Sequence, residues 1–304
     1  MADSNWQELV ADELAVTLCK WQPVGGGDFA QSYSAVVSAL QSNASNAHGL
    51  IVGDVIFIKT HANPPPNHFT TEATGLQWLF DTCTVRVPAV LGVSDEIPFL
   101  ALKWVDETRQ PGHPDLKQGE RDFGRQLAAM HKSPLVRFGR ADQKSTGSLG
   151  LPNEPCSSWS EFYSTQRLLP LSQIASARST FTAKTITDIE RVAHRLDEFM
   201  DHDAPASLLH GDLWAGNRLI DLQGNSWVID PACHGGHREF DLAMMRLFGG
   251  YSADCFEAYH EAYPLDLGWQ ERVPLHQLAP LIVHAIKFGS SYVGPTQQAL
   301  ARYL

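Results

Sequence analysis

Up to Val105 the apolar positions follow two rhythms. Trp6, Leu9, Val10, Leu14 and Leu18 keep helical spacing and predict an opening amphipathic helix over Asn5–Lys20. Trp21–Val24 and Tyr33–Leu40 then read as strands flanking a turn that contains Gly25, Gly26 and Gly27. The Ser/Asn-rich stretch Gln41–His48 reads as a loop, and the β-branched run Asp54–Lys59 as a third strand. After the proline-rich stretch Asn63–Asn67 the pattern predicts a helix over about Phe69–Phe80, then strands at Val85–Gly92 and Pro98–Val105. Residues 1–104 are thus expected to form an N-terminal nucleotide-binding lobe of helix plus a five-stranded antiparallel sheet.

After Asp106 the period is helical. Leu116, Phe123, Leu127 and Met130 share a face, as do Ile186, Ile189, Val192, Leu196 and Phe199. Trp159, Phe162 and Tyr163 mark a helical segment beyond the Gly/Ser/Pro-rich loop Phe138–Pro155, and Ala253–Tyr263, Val273–Phe288 and a short helix from Pro295 complete the chain. These stripes read as core. Residues 105–304 are therefore expected to be a larger, mainly helical lobe, giving an α+β chain of two lobes.

One stretch breaks the helical pattern. Leu219–Leu222 and Trp227–Ile229 are short β-prone runs around Gln223-Gly224-Asn225, which predicts a hairpin with a glycine turn. A hairpin brings its ends together, so Asn217 before it and Asp230 after it are expected side by side. An amide oxygen and a carboxylate oxygen are hard donors that suit Mg²⁺ held together with substrate phosphates. His210, Asp212 and Asn217 keep the His-x-Asp-x-x-x-x-Asn spacing of a kinase catalytic loop. Asp212 would then take the proton of an attacking hydroxyl.

Other polar positions extend this reading. Lys59 ends the third strand and Glu72 lies on the following helix, matching the lysine–glutamate pair that positions nucleotide phosphates in kinases. Strand, glycine-rich turn, strand at Gly25, Gly26 and Gly27 suits a loop whose backbone approaches phosphates, although the stretch does not match the G-x-G-x-x-G pattern. Lys103, Trp104 and Val105 fall where an interlobe linker belongs and would offer backbone groups to adenine. His237, Arg238 and Glu239 are expected to line the acceptor side of the cleft, with Asp241 capping the helix that follows.

Composition narrows the classes. Of 304 residues 43% are hydrophobic and 19% charged, which is ordinary for a globular protein. The net charge is −11 and no Lys/Arg cluster stands out, so nucleic acid is not an expected partner. Five scattered cysteines without a C-x-x-C pair indicate neither a disulfide framework nor a zinc site. With no basic, apolar leader at Met1–Glu13 and no apolar run long enough to span a membrane, the expected setting is cytoplasmic.

The chain resembles the fructosamine kinase (ketosamine-3-kinase) family, within the broader aminoglycoside phosphotransferase and choline kinase group. The resemblance runs over essentially the whole chain. It is carried most specifically by His210-Gly211-Asp212-Leu213-Trp214-Ala215-Gly216-Asn217 with Asp230-Pro231-Ala232, and also by Glu72-Ala73-Thr74-Gly75-Leu76, Gly124-Arg125-Gln126-Leu127-Ala128-Ala129-Met130-His131, Gly236-His237-Arg238-Glu239 and Leu247-Phe248-Gly249-Gly250. It implies a protein-kinase-like fold, use of ATP and Mg²⁺, and phosphorylation of a ketoamine or glycated protein at the sugar 3-hydroxyl, with loss of the sugar afterwards. Asp212 is then the catalytic base, Asn217 and Asp230 the metal ligands, Lys59 and Glu72 the phosphate-positioning pair, and His210 and Asp241 supports of the catalytic loop. Trp214 would present its ring to the sugar-derived part of the acceptor. The chain departs from the family pattern at Asp28, Lys103 and Cys233-His234. Rival readings are a kinase of the same fold for an aminoglycoside or amino alcohol, and a nucleotide-binding regulatory module; the latter would be expected to lack Lys59, Asp212 or Asp230.

Overall fold

The opening helix is shorter than its apolar spacing predicts. In the computed structural model, which describes residues 6–25, 29–41, 49–108, 116–133, 135–200 and 204–304, α1 spans Trp6–Glu13 and strand β1 begins at Val16. Ala15 turns the chain between them with φ 54. β1 (Val16–Val24) runs antiparallel to β2 (Gln31–Leu40), pairing Val16 with Leu40 and Val24 with Ser32. Val16 and Thr17 are β-branched, and a ladder partner outweighs the weak helical preference of the stretch. The expected glycine-turn residues Gly26 and Gly27, Asp28, and most of the Ser/Asn loop lie outside the described residues.

The sheet has the order β1-β2-β3-β5-β4, with β3 at Val55–Thr60, β4 at Val90–Ser94 and β5 at Phe99–Lys103, every neighbour antiparallel. The five expected strands are present, but the fourth starts later than predicted. Pro88 has no N–H for a ladder. The carbonyl of Arg86 instead accepts the N–H of Val228 at 2.9 Å, which ties this segment to the 218–228 hairpin. β5 is buried on both faces: Phe99 and Ala101 join a core with Val10, Ala35, Ile56 and Ile58, while Leu100 and Leu102 meet Phe69, Leu76 and Leu79 of α2 (His68–Asp81). Such two-sided burial removes the alternation that normally marks a strand.

Apart from four short strands, the remainder is mainly helical: α3 (Leu116–His131), α4 (Trp159–Tyr163), α5 (Leu169–Ala177), α6 (Ala183–His194), α7 (Glu239–Phe248), α8 (Ala253–Ala262), α9 (Trp269–His276), α10 (Leu278–Phe288) and α11 (Val293–Leu300). The single helix expected over Val273–Phe288 is two. Pro280 cannot continue the hydrogen-bond ladder, and the Tyr163 hydroxyl fills the break: it accepts the Ala279 N–H at 3.0 Å and lies 3.0 Å and 2.9 Å from the carbonyls of Leu275 and His276. Among the described residues no helix is long and apolar enough to cross a membrane.

Candidate active site

Four short strands carry the site. β6 (Ser207–Leu209) pairs with β9 (His234–Gly236), and β7 (Arg218–Ile220) pairs with β8 (Ser226–Val228) as the predicted hairpin. The hairpin turn is held by Asp221, whose carboxylate accepts from the N–H groups of Gln223 and Asn225 and from the Trp227 indole at 2.9 Å. Ile229 N–H donates to the Asn217 carbonyl at 3.0 Å, so the chain closes on itself and Asp230 arrives beside Asn217. Asp230 adopts φ 57, a left-handed conformation that a non-glycine residue takes only where its surroundings impose it.

The loop after β6 is fixed from below. Asp241, in the first turn of α7, is fully buried; its Oδ2 accepts the N–H of His210 at 2.8 Å and its Oδ1 that of Gly211 at 2.9 Å. His131 lies 3.2 Å from Oδ2 and its other ring nitrogen 2.9 Å from the Tyr259 hydroxyl. Burial works to raise the Asp241 pKa, but the contact with His131 and the backbone N–H bond outweigh it and hold the carboxyl below its ordinary value. Gly211 has φ +81, and a Cβ there would sit 2.2 Å from the Ala232 carbonyl oxygen, so no other residue fits without a shift of backbone. His210 Nε2 lies 2.9 Å from the Ile229 carbonyl, to which it donates, while Nδ1 accepts the Asp212 N–H at 3.3 Å.

Asp212 faces the cleft. The Asn217 side-chain amide donates to its carbonyl at 2.8 Å and to its Oδ2 at 3.0 Å, which leaves Asn217 Oδ1 as that side chain's oxygen donor. Burial pushes the Asp212 carboxyl up to about 7, with the Asn217 bond opposing and the Asp230 charge adding to the rise. Buried Lys59 on β3 reaches Glu72 of α2 at 2.8 Å and also contacts Asp230. Burial would lower the Lys59 pKa, but Glu72 and Asp230 together hold it above the ordinary lysine value. The predicted lysine–glutamate pair therefore forms, and it joins directly to the hairpin carboxylate.

These groups line a single cleft of about 1150 Å³. At one end it meets Gly25 and the linker Lys103, Trp104 and Val105; the N–H of Lys103 is engaged by Ala89 O at 2.9 Å. In the middle lie Lys59, Glu72, Asp212, Asn217 and Asp230, and beyond them Trp214. The Trp214 ring is 39% exposed, lies over Gly216, and meets Phe248 edge-on at 5.8 Å, so it is a wall of the cleft and not a plug beneath the loop.

His237, Arg238 and Glu239 do not line this cleft, contrary to the sequence expectation. β9 ends at Gly236 and α7 begins at Glu239, so the segment turns into the helical core. Glu239 is fully buried and takes two bonds from Arg272, Nε–Oε2 2.8 Å and Nη2–Oε1 2.6 Å. Burial would raise its pKa, yet the Arg272 and His276 contacts bring it down to about 2. Arg238 stacks on the Tyr263 ring at 3.7 Å and donates to the carbonyls of Tyr263 and Pro264. The His237 ring stacks on His276 at 5.2 Å. All three brace α7, and through it Asp241.

The cleft is also lined by residues that the motifs did not mark, the 145–151 loop, Arg167, and Val283, His284, Lys287, Phe288 and Tyr292 near the C-terminus, and by Phe248 of the Leu247-Phe248-Gly249-Gly250 stretch. Their one sequence signal is the helical spacing of 280, 283, 284 and 287, which also fits ordinary core. His234 lines the cleft too, whereas its neighbour Cys233 is buried against Gly75 of α2.

A five-stranded antiparallel sheet joined to a helical unit, with a His-x-Asp-x-x-x-x-Asn loop and a lysine–glutamate pair on one cleft, defines a protein-kinase-like phosphotransferase fold. A sequence model described as fructosamine kinase matches residues 11–304. A probable ketoamine kinase of Enterococcus faecium is 31% identical over 284 residues, covering 92% of this chain and 94% of that protein. A solved structure from Thermobifida fusca YX-ER1, provisionally assigned as a fructosamine-3-kinase, is 36% identical with a TM-score of 0.84, covering 98% of this chain and 97% of that one. An aminoglycoside phosphotransferase, APH(4)-Ia, solved with ADP and hygromycin B, shares the fold at 13% identity and a TM-score of 0.64, over 97% of this chain and 98% of that one. The chain belongs to the fructosamine kinase family, and is thereby a phosphotransferase with an alcohol group as acceptor.

Proposed function

We propose that the protein is an ATP-dependent kinase that phosphorylates the 3-hydroxyl of a ketosamine of the fructosamine or ribulosamine type, giving a product that sheds its sugar and frees the amine. The observation that carries this reading is the convergence of Lys59, Glu72, Asp212, Asn217 and Asp230 on one cleft that also holds Trp214. Residues 1–104 and 105–304 act as two lobes closing on the nucleotide, with adenine against the backbone of Trp104 and Val105. ADP in the APH(4)-Ia structure supports the nucleotide assignment.

Lys59, oriented by Glu72, positions the nucleotide phosphates. Asp212 accepts the proton as the acceptor oxygen bonds to the γ-phosphorus and the bond to the departing ADP oxygen breaks. A carboxyl pushed up to about 7 is a stronger base than an ordinary aspartate. Asn217 Oδ1 and the Asp230 carboxylate are hard oxygen donors that fit Mg²⁺, which when bound would neutralise phosphate charge.

The test is ADP release from Mg-ATP across fructosamines, ribulosamines, erythrulosamines and aminoglycosides. Ketoamine turnover that falls by orders of magnitude in Asp230→Asn, with the fold intact, is expected. Efficient phosphorylation of aminoglycosides with none of ketoamines would overturn the acceptor assignment.

A further inference from the structure

Asp230 precedes a proline and holds φ 57, so its conformation depends on what fixes the chain on either side. On the near side Ile229 N–H donates to the Asn217 carbonyl. On the far side the segment 231–233 lies between the loop after β6 and α2. Ala232 N–H donates to the His210 carbonyl at 2.8 Å, and Cys233 Sγ lies 3.5 Å from the Gly75 carbonyl. A Cβ on Gly75 would lie 3.2 Å from the Cys233 Cβ and 3.5 Å from the Pro231 ring. Glu72, Gly75 and Trp78 follow at steps of three and share one face of α2. The helix that orients Lys59 therefore packs on the chain that leaves Asp230.

Arg140 closes this contact. Its side chain is fully buried, and all three guanidinium nitrogens donate: Nε and Nη2 to the two oxygens of Asp142 at 2.9 Å and 2.8 Å, and Nη1 to the Cys233 carbonyl at 2.9 Å. The same guanidinium lies 4.2 Å from the centre of the Trp78 ring on α2. Its backbone is tied in turn: Gly139 and Gly235 exchange N–H bonds at 2.8 Å, and Arg140 N–H donates to the Asn153 carbonyl at 2.9 Å. One planar, rigid group thus holds α2 through Trp78 and, through Cys233, the chain three residues beyond Asp230. Arg140 does not line the cleft and acts through other residues. Resting on the phosphoryl-transfer role of Asp230 proposed above, we propose that Arg140 is a positioning residue, which sets where the Asp230 carboxylate stands relative to the Lys59–Glu72 pair.

The experiment compares the native protein with Arg140→Met, Arg140→Lys and Asp230→Asn, each well below its melting temperature. Two quantities are read: kcat on the best acceptor of the fructosamine, ribulosamine and aminoglycoside panel, and ADP affinity by titration calorimetry with and without Mg²⁺. Misplacement of Asp230 predicts a fall in kcat of about 10- to 100-fold in Arg140→Met. Metal-free ADP affinity is expected to stay within about 3-fold of native, while the tightening brought by Mg²⁺ shrinks. A lysine keeps the charge over Trp78, but one ammonium cannot fork to Asp142 and reach Cys233 together. Arg140→Lys is therefore expected to lose about 3- to 10-fold in kcat, and it carries the test if Arg140→Met does not fold. Native kcat in both Arg140 variants beside an inactive Asp230→Asn overturns the proposal alone. So does metal-free ADP affinity that falls in step with kcat, the mark of general damage to the fold. Native kcat in Asp230→Asn overturns it together with the reading on which it rests.

Discussion

Asp241 Oδ2 accepts the backbone N–H of His210 at 2.8 Å, and this bond, with its twin to Gly211, joins the first turn of α7 to the loop that carries Asp212. An Asp241→Asn change keeps the shape but turns one acceptor oxygen into a donor facing an N–H group. The expected loss is about 1–3 kcal/mol of stability, with a fall in kcat larger than the change in KM for ATP. Thermal unfolding and steady-state kinetics on the same preparation check it; unchanged kcat would show that the loop holds its geometry without this anchor.

Lys59 touches both Glu72 and Asp230, so it is expected to matter more than either bond alone. Lys59→Ala should raise KM for ATP and depress kcat, and Glu72→Ala should do so less, because the lysine charge survives when its orientation is lost. Nucleotide titration of the two variants decides the order. A greater loss in Glu72→Ala would reverse the roles assigned to them.

A methyl group on Gly216 would lie 2.2–2.6 Å from three ring atoms of Trp214. Gly216→Ala must therefore displace the ring. Both Gly216→Ala and Trp214→Ala are expected to lower ketoamine kcat/KM by similar factors, while ATP affinity changes little in either. If affinity for both substrates fell together, Trp214 would be acting through the fold of the loop.

Glu239 and Arg272 form a buried pair away from the cleft. Glu239→Gln removes the charge that the two Arg272 bonds meet, and is expected to lower stability by about 1–3 kcal/mol. The folded fraction should keep its acceptor KM. A selective rise in acceptor KM at unchanged melting temperature would return Glu239 to the acceptor site.

His234 and His237 are buried, and burial, the largest influence on each, pushes their pKa values down to about 3. In the unfolded chain they titrate near the ordinary histidine value of about 6.5, so between these limits the unfolded state binds more protons. Their neutral burial therefore supports the fold fully above about pH 6.5, and that support is lost as pH falls toward about 3. Each contributes a slope of up to about 1.4 kcal/mol per pH unit. Denaturant unfolding at pH 7, 6, 5 and 4 should show stability falling with acid, and His237→Gln should flatten the slope by about one histidine's share; an unchanged slope would refute it.

What the sequence settled by itself is local chemistry and short-range closure. The spacing of His210, Asp212 and Asn217, and a glycine turn between two β-prone runs, sufficed to bring Asn217 to Asp230, because a hairpin is decided by a few neighbouring residues. The Lys59–Glu72 pair followed from a strand and a helix that each declare themselves by period. Tertiary structure decided the rest. Val16 left a helical pattern for a strand because β2 offered it a ladder, and Tyr163 ended one helix and opened another through contacts distant in sequence. His237, Arg238 and Glu239 carry polar side chains that read equally well as cleft or as braced core. Only the placement of Arg272 and Tyr263 assigns them to the core. His284, Lys287 and Phe288 came to line the cleft in the same way. A helical stripe specifies which residues share a face, but the partner of that face is chosen by long-range packing, which no local period encodes.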